Sequence, residues 1–306
     1  MRFRLPAFIA LLTFIAGTVS AGGNGETRLM VYYTSSLNGN LDGCTCKAAP
    51  KAGLVKRAAY LRGIGDRSNG LLVDLGDVFP TDRDELLCEA ILETYAELGY
   101  DAFAVGDQET SEGMEELLSY RDRFPLLSNN LSICIGDACR LLSPTPLTFR
   151  KSGLSVGVAA LIDPEVFALY PGDLKAALKI APCAETAQAM LGHLRGEGTD
   201  VRILLYHGPL DKAMELAAQV PGFDVVLAGH EQLLRDAVRV GKTIVASPGE
   251  EGNRLGILEL RVDGQGVAGF RNTFRLFDYL KDPDDLPTRG RIDGYYRTMR
   301  ARLKKD

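Results

Sequence analysis

Four residues whose side chains can bind a metal or move a proton closely follow apolar segments of the chain: Asp77, Asp107, His207 and His230. A single such residue after a strand is usually structural, as a hydrogen-bond partner or a helix cap. Four of them with the same placement favour a shared site. Mixed carboxylate and imidazole ligands suit a divalent ion such as Zn, Mn or Fe. Such an ion can polarise a phosphoryl oxygen and lower the pKa of a bound water.

The segments that precede these residues are typical of strands in one α/β sheet. Leu71–Asp77 (LLVDLGD) is an apolar run that leaves no room for a helix, and it predicts a buried strand. Ligands of open α/β sheets bind outside the carboxyl ends of the strands, so we expect the four side chains at one common edge. Short antiparallel strands are predicted over Leu131–Leu161. The other predicted strands are Leu29–Tyr33, Ala102–Val105, Pro125–Leu127, Val201–Tyr206, Val225–Ala228, Thr243–Ala246 and Leu255–Val262, and the predicted helices are Gly53–Ile64, Asp84–Leu98, Ser111–Tyr120, Glu185–Gly196 and Leu210–Gln219.

The beginning of the 306-residue chain predicts export. Arg2 and Arg4 precede an apolar run and the small residues Val19-Ser20-Ala21, which is typical of a signal sequence over residues 1–21. The apolar run is shorter than the roughly 20 residues of a membrane-spanning helix, so we expect no membrane span after cleavage. Cleavage would change the net charge from -5 to -7. An acidic chain without a basic cluster argues against nucleic acid as a partner. We expect a periplasmic or secreted protein.

Export changes the interpretation of the six cysteines, because an oxidising compartment lets thiols pair. Cys134 and Cys139 flank a turn-like sequence, which predicts a disulfide that closes a small hairpin. Cys88 lies in a helical pattern and Cys183 in a short loop segment, and both free thiols and a long-range pair are compatible with these positions. Cys44 and Cys46 form a Cys-x-Cys pair that is suited to metal ligation or redox chemistry.

Several motifs in one order resemble those of a known family. They are LLVDLGD, AVGDQETSEG, LLSNNL, ILLYHGPLD, VPGFDVVLAGHEQ and ASPGEEGNRLGILEL. Together they are similar to the catalytic domain of the calcineurin-like metallophosphoesterases, in the branch of the 5'-nucleotidases and the related thiosulfate-oxidation hydrolases. The resemblance covers about Leu29 to Phe277. It implies a four-layered α/β/β/α sandwich with its metal site at the strand ends.

The chain departs from the family pattern at five positions, one of which is Asp107 in place of an asparagine in the Gly-Asn-His-Glu motif of the family. The opening Asp-x-His pair of the family corresponds to Ser36 and Asn38, and its Gly-His-x-His motif ends in Gln232. The resemblance therefore implies one metal ion rather than two, held by Asp77, Asp107, His207 and His230. The acid/base histidine of the family corresponds to Gln108, whose amide cannot protonate a leaving group at neutral pH.

The Cys-x-Cys pair offers a way to compensate for the missing ligands. Cys44 follows Ser36 by eight residues and Cys46 follows Asn38 by eight, so the loop could fold over the vacated half of the site. As a hypothesis, the two thiolates replace the missing metal ligands or form a redox pair beside the metal. The alternative is that they form disulfides with Cys88 and Cys183.

The predicted function is hydrolysis of small-molecule phosphate esters of the nucleotide type, or of related sulfur esters, at a single divalent metal ion. Asp107, Gln108 and His207 are the candidate catalytic residues. The alternatives are a degenerate metal-binding protein and a Cys-x-Cys redox protein on the same fold. The predicted organisation is a signal sequence (1–21), a metallophosphoesterase-like domain (22–281) and a polar, helical C-terminal tail (282–306).

Overall fold

The computed structural model describes residues 25–43, 51–65, 67–249 and 252–304. The predicted signal sequence and the Cys44-x-Cys46 pair lie outside the described residues. The strands are β1 (Thr27–Thr34), β2 (Gly70–Asp74), β3 (Ala102–Ala104), β4 (Leu126–Leu127), β5 (Leu131–Ile135), β6 (Ala138–Leu141), β7 (Leu147–Lys151), β8 (Leu154–Ile162), β9 (Leu178–Ile180), β10 (Val201–Gly208), β11 (Val225–His230), β12 (Leu234–Val240), β13 (Thr243–Pro248), β14 (Arg254–Asp263) and β15 (Gly266–Leu276). The helices are α1 (Gly53–Gly63), α2 (Glu85–Leu98), α3 (Met114–Arg123), α4 (Gly172–Ala176), α5 (Cys183–Gly196), α6 (Leu210–Gln219) and α7 (Leu286–Arg302), with short 3-10 turns at Gln108–Thr110 and Pro164–Phe167.

Within the described residues, most strands form two six-stranded sheets. The first sheet has the order β15-β14-β1-β2-β3-β4, and the second has the order β12-β13-β11-β10-β8-β7. The central strands β1, β2, β3 and β4 are parallel to one another, as are β8, β10, β11 and β13. Antiparallel strands flank both parallel blocks. A third, three-stranded sheet has the order β6-β5-β9.

Three apolar clusters hold these elements in four layers. Val73 of the first sheet and Leu205 of the second belong to a cluster in which the inner faces of the two sheets meet. Ile91 of α2 belongs to the cluster on the outer face of the first sheet. Leu216 of α6 belongs to the cluster on the outer face of the second sheet. The arrangement is an α/β/β/α sandwich, so the fold predicted from the sequence is confirmed.

Helix α2 shows how local sequence signals set the boundaries of an element. The Asp84 side chain accepts a hydrogen bond from the Leu87 backbone N–H at 3.1 Å, as an N-cap residue does. Gly99 ends the helix with a φ of 71°, a left-handed conformation that glycine adopts without a Cβ clash. The helix predicted over Asp84–Leu98 therefore begins one residue later than expected and ends where expected.

Some predicted boundaries were wrong. His207 and His230 do not follow their strands but lie within the ends of β10 and β11, because the pairing continues through His207 with Gly229. Helix α3 begins at Met114 rather than at Ser111, since the preceding residues form the 3-10 turn. Cys183 is the first residue of α5 and not part of a loop.

Helix α7 packs against α1 and α2 through ion pairs and hydrogen bonds. Arg291 contacts Glu97, and the Tyr295 hydroxyl donates a hydrogen bond to Asp84 at 2.6 Å. Lys56 of α1 contacts Asp284, just before the helix, at 2.6 Å. The division of the chain between residues 281 and 282 stays a prediction. The described residues contain no helix that is both long and apolar enough to span a bilayer.

Candidate metal centre

Asp77 lies in a strained loop that begins where β2 ends. The backbone φ of Asp77 is 57°, which is unusual for a non-glycine residue. The buried carboxylate of Glu109 stabilises this loop, because it accepts hydrogen bonds from the backbone N–H groups of Asp77 at 3.0 Å and Val78 at 2.7 Å. It also accepts from Gly106 at 2.6 Å, in the loop that leads to Asp107. One carboxylate therefore holds both acidic loops of the site.

His207 is completely buried between these two loops. A Cβ at Gly76 would lie 2.6 Å from His207 Nδ1, and a Cβ at Gly106 would lie 2.5 Å from His207 Cε1. Only glycine lets the imidazole occupy this position. Nδ1 lies 2.7 Å from the Leu75 carbonyl oxygen, which can only accept a hydrogen bond. In the neutral ring, Nδ1 therefore carries the proton and Nε2 has a free lone pair.

Asp107 and Asp77 face the two histidines. Asp107 Oδ1 lies 3.0 Å from His207 Nε2 and 3.1 Å from His230 Nδ1. Asp77 Oδ1 lies 3.3 Å from His207 Nε2, and Asp77 Oδ2 lies 3.6 Å from His230 Nδ1. One ligand atom from each of the four residues lies within 4.8 Å of the others. The structure thus brings together all four residues that the strand-end pattern predicted.

Two observations indicate that this cluster fits a divalent cation. His230 Nδ1 is buried and makes no hydrogen bond of acceptable geometry, although carboxylate oxygens are close to it. The cluster also places two carboxylates and two imidazoles, the donor set of Zn, Mn and Fe sites, around one point. A buried polar atom without a partner and a concentration of ligand atoms are both explained by a bound metal ion.

The cluster perturbs the protonation of its members. Burial alone would lower the pKa of His207, but the charge of Asp77 and the contact with Asp107 raise it well above its usual value. The adjacent carboxylates of Asp107 and Asp77 raise the pKa of His230 to about 9. Burial would raise the pKa of Asp107, but its contacts with His207 and His230 lower it well below its usual range. Without a metal, the histidines therefore carry protons at neutral pH and neutralise the carboxylates.

Two residues that the sequence did not single out complete the centre. Burial, followed by the charge of Asp77, raises the pKa of Glu109 to about 7. The Tyr170 hydroxyl donates a hydrogen bond to Asp107 Oδ2 at 2.6 Å. Burial and this hydrogen bond raise the pKa of the Tyr170 phenol, so it remains a donor. Glu109 belongs to a motif quoted above, whereas no sequence pattern marks Tyr170.

Gln108 lies beside the cluster. Its backbone N–H donates to Asp77 Oδ1 at 3.3 Å, and its side-chain Oε1 is buried without a hydrogen-bond partner. The amide thus has free capacity for a polar ligand. Its assignment as a catalytic residue, like the metal-binding roles of Cys44 and Cys46 outside the described residues, stays a prediction.

Ser36, Asn38 and Gln232 have left-handed backbone conformations, with φ values of 51°, 50° and 57°. With Asp77 and His230 they make up five of the six non-glycine residues of this kind in the described part of the chain. The Asn38 backbone N–H donates to the Asp77 carbonyl oxygen at 2.9 Å, which places it next to the site. Strain of this kind is concentrated at functional sites in many proteins.

Cys134 and Cys139 form the disulfide that the turn-like sequence predicts, and it closes the hairpin of β5 and β6. Cys88 and Cys183 carry free thiols in the structure. Cys88 is buried in α2, where its thiol lies 3.5 Å from Glu112 Oε1. The sequence left open whether Cys88 and Cys183 are free thiols or form a long-range pair, and the structure shows free thiols.

Comparison with known proteins supports the architecture. No model of a protein family matches the sequence. The trifunctional nucleotide phosphoesterase protein YfkN of Bacillus subtilis is 24% identical over 284 residues, which cover 80% of this chain and 19% of that protein. The 2',3'-cyclic-nucleotide 2'-phosphodiesterase/3'-nucleotidase of Salmonella typhimurium is 22% identical over 295 residues, which cover 81% of this chain and 45% of that protein. The chain thus spans less than half the length of these relatives.

Solved structures of two proteins are similar to this chain in their overall fold. A 5'-nucleotidase precursor from Thermus thermophilus has a TM-score of 0.78 and 21% identity, over 90% of this chain and 59% of that one. The sulfate thiohydrolase SoxB of Thermus thermophilus also has a TM-score of 0.78, with 18% identity, over 89% of this chain and 61% of that one. The chain therefore has the metallophosphoesterase fold. More particularly, it has the fold of the catalytic domain of the 5'-nucleotidase branch, and the predicted resemblance is confirmed.

Proposed function

We propose that this protein is an exported, metal-dependent hydrolase of phosphate esters, with nucleotide-type esters as the substrate class. A single divalent ion would be held by Asp77, Asp107, His207 and His230. The observation that carries the proposal is the approach of these four ligand atoms to within 4.8 Å of one another. The names of the relatives, a nucleotide phosphoesterase and a nucleotidase, support the substrate class.

The residues of the site have different roles. A bound divalent cation supplies Lewis-acid polarisation of a phosphoryl oxygen and makes a water more acidic. The Leu75 carbonyl holds the His207 ring so that Nε2 faces the two carboxylates. Gln108, with its unpartnered Oε1, can hydrogen-bond a substrate, but its amide is not acidic enough to protonate a leaving group. Within the nucleotide-type class, the site therefore favours esters whose leaving group departs without protonation by residue 108.

A sulfur ester is the second candidate substrate. The TM-score to the sulfate thiohydrolase SoxB equals that to the 5'-nucleotidase precursor, so the fold does not separate the two classes. A thiolate is a good leaving group and needs no proton from residue 108. This property makes a sulfur ester compatible with Gln108.

Elemental analysis and turnover together test the proposal. We expect about one equivalent of Zn, Mn or Fe in the purified protein, and little in Asp77→Ala and His230→Ala variants. His193→Gln, which changes an exposed histidine paired with Glu197 on α5, is the matched control and should keep its metal. The metal-loaded protein should hydrolyse p-nitrophenyl phosphate, a nucleoside monophosphate or a thiosulfate ester, and a chelator should stop it.

The possible results separate the alternatives. Metal binding without turnover of any of these esters would leave a binding protein and contradict the hydrolase proposal. Equal metal contents in the wild type and the two ligand variants would contradict both the metal-binding alternative and the hydrolase proposal. Export is tested separately, by the mass of the mature protein in the periplasm or the medium, which should correspond to a chain that begins after residue 21.

A further inference from the structure

Tyr170 reaches the candidate metal centre from outside the family motifs. It lies between the 3-10 turn Pro164–Phe167 and helix α4, in the connection that follows β8. Its backbone N–H donates to the Phe167 carbonyl oxygen at 3.0 Å, and its ring packs edge-to-face on the buried Phe167 ring at 5.3 Å. The neighbouring Leu169 is 99% exposed, whereas the Tyr170 ring and hydroxyl both contact the rest of the molecule.

The phenol of Tyr170 contacts only one side of the Asp107 carboxylate. It donates to Oδ2 at 2.6 Å, whereas Oδ1 faces His207 Nε2 at 3.0 Å and His230 Nδ1 at 3.1 Å. The two carboxylate oxygens therefore have different tasks. Oδ2 is engaged by a fixed hydroxyl, and Oδ1 points towards the other ligand atoms.

We infer that Tyr170 is a positioning residue that makes Asp107 a one-oxygen ligand. A free carboxylate can turn about its last torsion and can offer both oxygens to one cation. A hydrogen bond from a packed phenol to Oδ2 opposes both, since rotation of the carboxylate would break the bond and a cation on Oδ2 would compete with it for that oxygen. Restricting Asp107 to one oxygen keeps room on the ion for a substrate oxygen or a water, which catalytic sites need. This inference rests on the proposed metal site and adds the residue that shapes it.

The loss of the hydroxyl alone can be tested with Tyr170→Phe, because phenylalanine keeps the ring that packs on Phe167. The matched control is Tyr295→Phe, which removes a phenol–carboxylate hydrogen bond of the same 2.6 Å length, to Asp84 between α7 and the start of α2. Each variant is loaded with Co²⁺, whose visible absorption reports the number and geometry of its ligands. The Co²⁺ affinity is measured by competition with a chelator, and thermal unfolding of the metal-free proteins checks folding.

We expect Tyr170→Phe to bind Co²⁺ about 10- to 100-fold more weakly, the usual effect of losing a hydrogen bond to a metal ligand, and to show a changed Co²⁺ spectrum. Tyr295→Phe should match the wild type in both. If Tyr170→Phe has wild-type affinity and spectrum, the inference is wrong while the proposed function stands. An equal loss in both variants would also overturn it, because the effect would not be specific to Asp107. If the wild type binds no Co²⁺, the metal site and the inference fall together.

Discussion

His207 Nδ1 lies 2.7 Å from the carbonyl oxygen of Leu75, two residues before Asp77, so the backbone that carries one candidate ligand also orients another. This contact sets the tautomer of His207 and directs Nε2 to the carboxylates. Replacing His207 with Gln should therefore remove a ligand and disturb the Asp77 loop. We expect metal affinity to fall by more than the roughly 10- to 100-fold that a lost supporting hydrogen bond costs.

The measurement is a competitive titration with Zn²⁺ or Mn²⁺ and a chelator. His193→Gln provides the control, since His193 is 38% exposed on α5 and pairs only with Glu197 among the described residues. Wild-type affinity in His207→Gln would show that the cluster is not the metal site.

Metal binding should release protons at neutral pH. The pKa of His230 is about 9 in the metal-free protein because the carboxylates of Asp107 and Asp77 are adjacent. An imidazole must lose its proton to bind a metal ion, so binding displaces it. We expect apparent affinity to rise as the pH increases towards about 9, and calorimetry in buffers of different ionisation enthalpy to give a positive proton release. Heats that do not depend on the buffer would contradict this expectation.

The same pKa predicts how the stability of the metal-free protein depends on pH. The folded-state pKa of His230, about 9, is above the usual value of 6.5. The stabilising contribution is therefore fully present below pH 6.5 and is lost as the pH rises through about 9. In the presence of a chelator, the unfolding temperature should decrease over this range, and it should decrease less in His230→Gln. An identical pH profile for the wild type and His230→Gln would contradict the raised pKa of His230 in the folded protein.

Gln108 should limit the range of esters that are hydrolysed. Gln108→His would place a proton donor at the position where related enzymes are expected to have one. We expect kcat for an alkyl ester, such as a nucleoside 5'-phosphate, to rise by about 100-fold or more, the size of a general-acid contribution. The rate with p-nitrophenyl phosphate should change little, since nitrophenolate leaves without a proton.

Steady-state kinetics with both esters measures this difference. The control is Gln219→His on the exposed end of α6, which should alter neither rate. An equal increase for both esters would mean that the new histidine does not act as an acid.

Glu109 should be necessary for the stability of the folded protein. Each of its carboxylate oxygens accepts from two backbone N–H groups, Oε1 from Val78 and Phe79 and Oε2 from Asp77 and Gly106. In Glu109→Gln the amide nitrogen replaces one oxygen, so two buried N–H groups lose their acceptor in either orientation. At about 1–3 kcal/mol for each, we expect a loss of roughly 2–6 kcal/mol in the free energy of unfolding.

Urea unfolding at pH 8, above the Glu109 pKa of about 7, measures this loss in the presence of a chelator. Glu116→Gln is the control, because Glu116 forms a surface ion pair with Arg83. Such a pair contributes at most about 1 kcal/mol. Equal effects of the two substitutions would rule out the role of Glu109 in holding the loops.

The sequence predicted the positions of the ligands better than their surroundings. Buried parallel strands are apolar on both faces, so the polar residues at their ends stand out, and Asp77 and His207 could be recognised in this way. The extension of β10 through His207 could not be predicted from the sequence, because it depends on pairing with Ile162 of β8 and Gly229 of β11. Strands β12 and β15 were missed because their exposed faces carry charged residues such as Arg235 and Arg271.

The supporting contacts of the site arise only in three dimensions. Tyr170 contacts Asp107, which is 63 residues away in the sequence, and no local sequence pattern around Tyr170 predicts this contact. Glu109 was quoted as part of a motif, but its hydrogen bonds to the Asp77 loop depend on how two loops approach each other. The left-handed backbone at Ser36 and Asn38 likewise cannot be inferred from serine and asparagine as residue types.

The four candidate ligands are divided between the two large sheets. Asp77 and Asp107 follow β2 and β3 of the first sheet, whereas His207 and His230 end β10 and β11 of the second. A bound ion would therefore act as a cross-link between the halves of the sandwich. Amide hydrogen exchange should slow in both halves when metal is added, and slowing confined to one of them would contradict this. Removal of the ion by a chelator would then loosen the packing between the two sheets, rather than disorder a single loop.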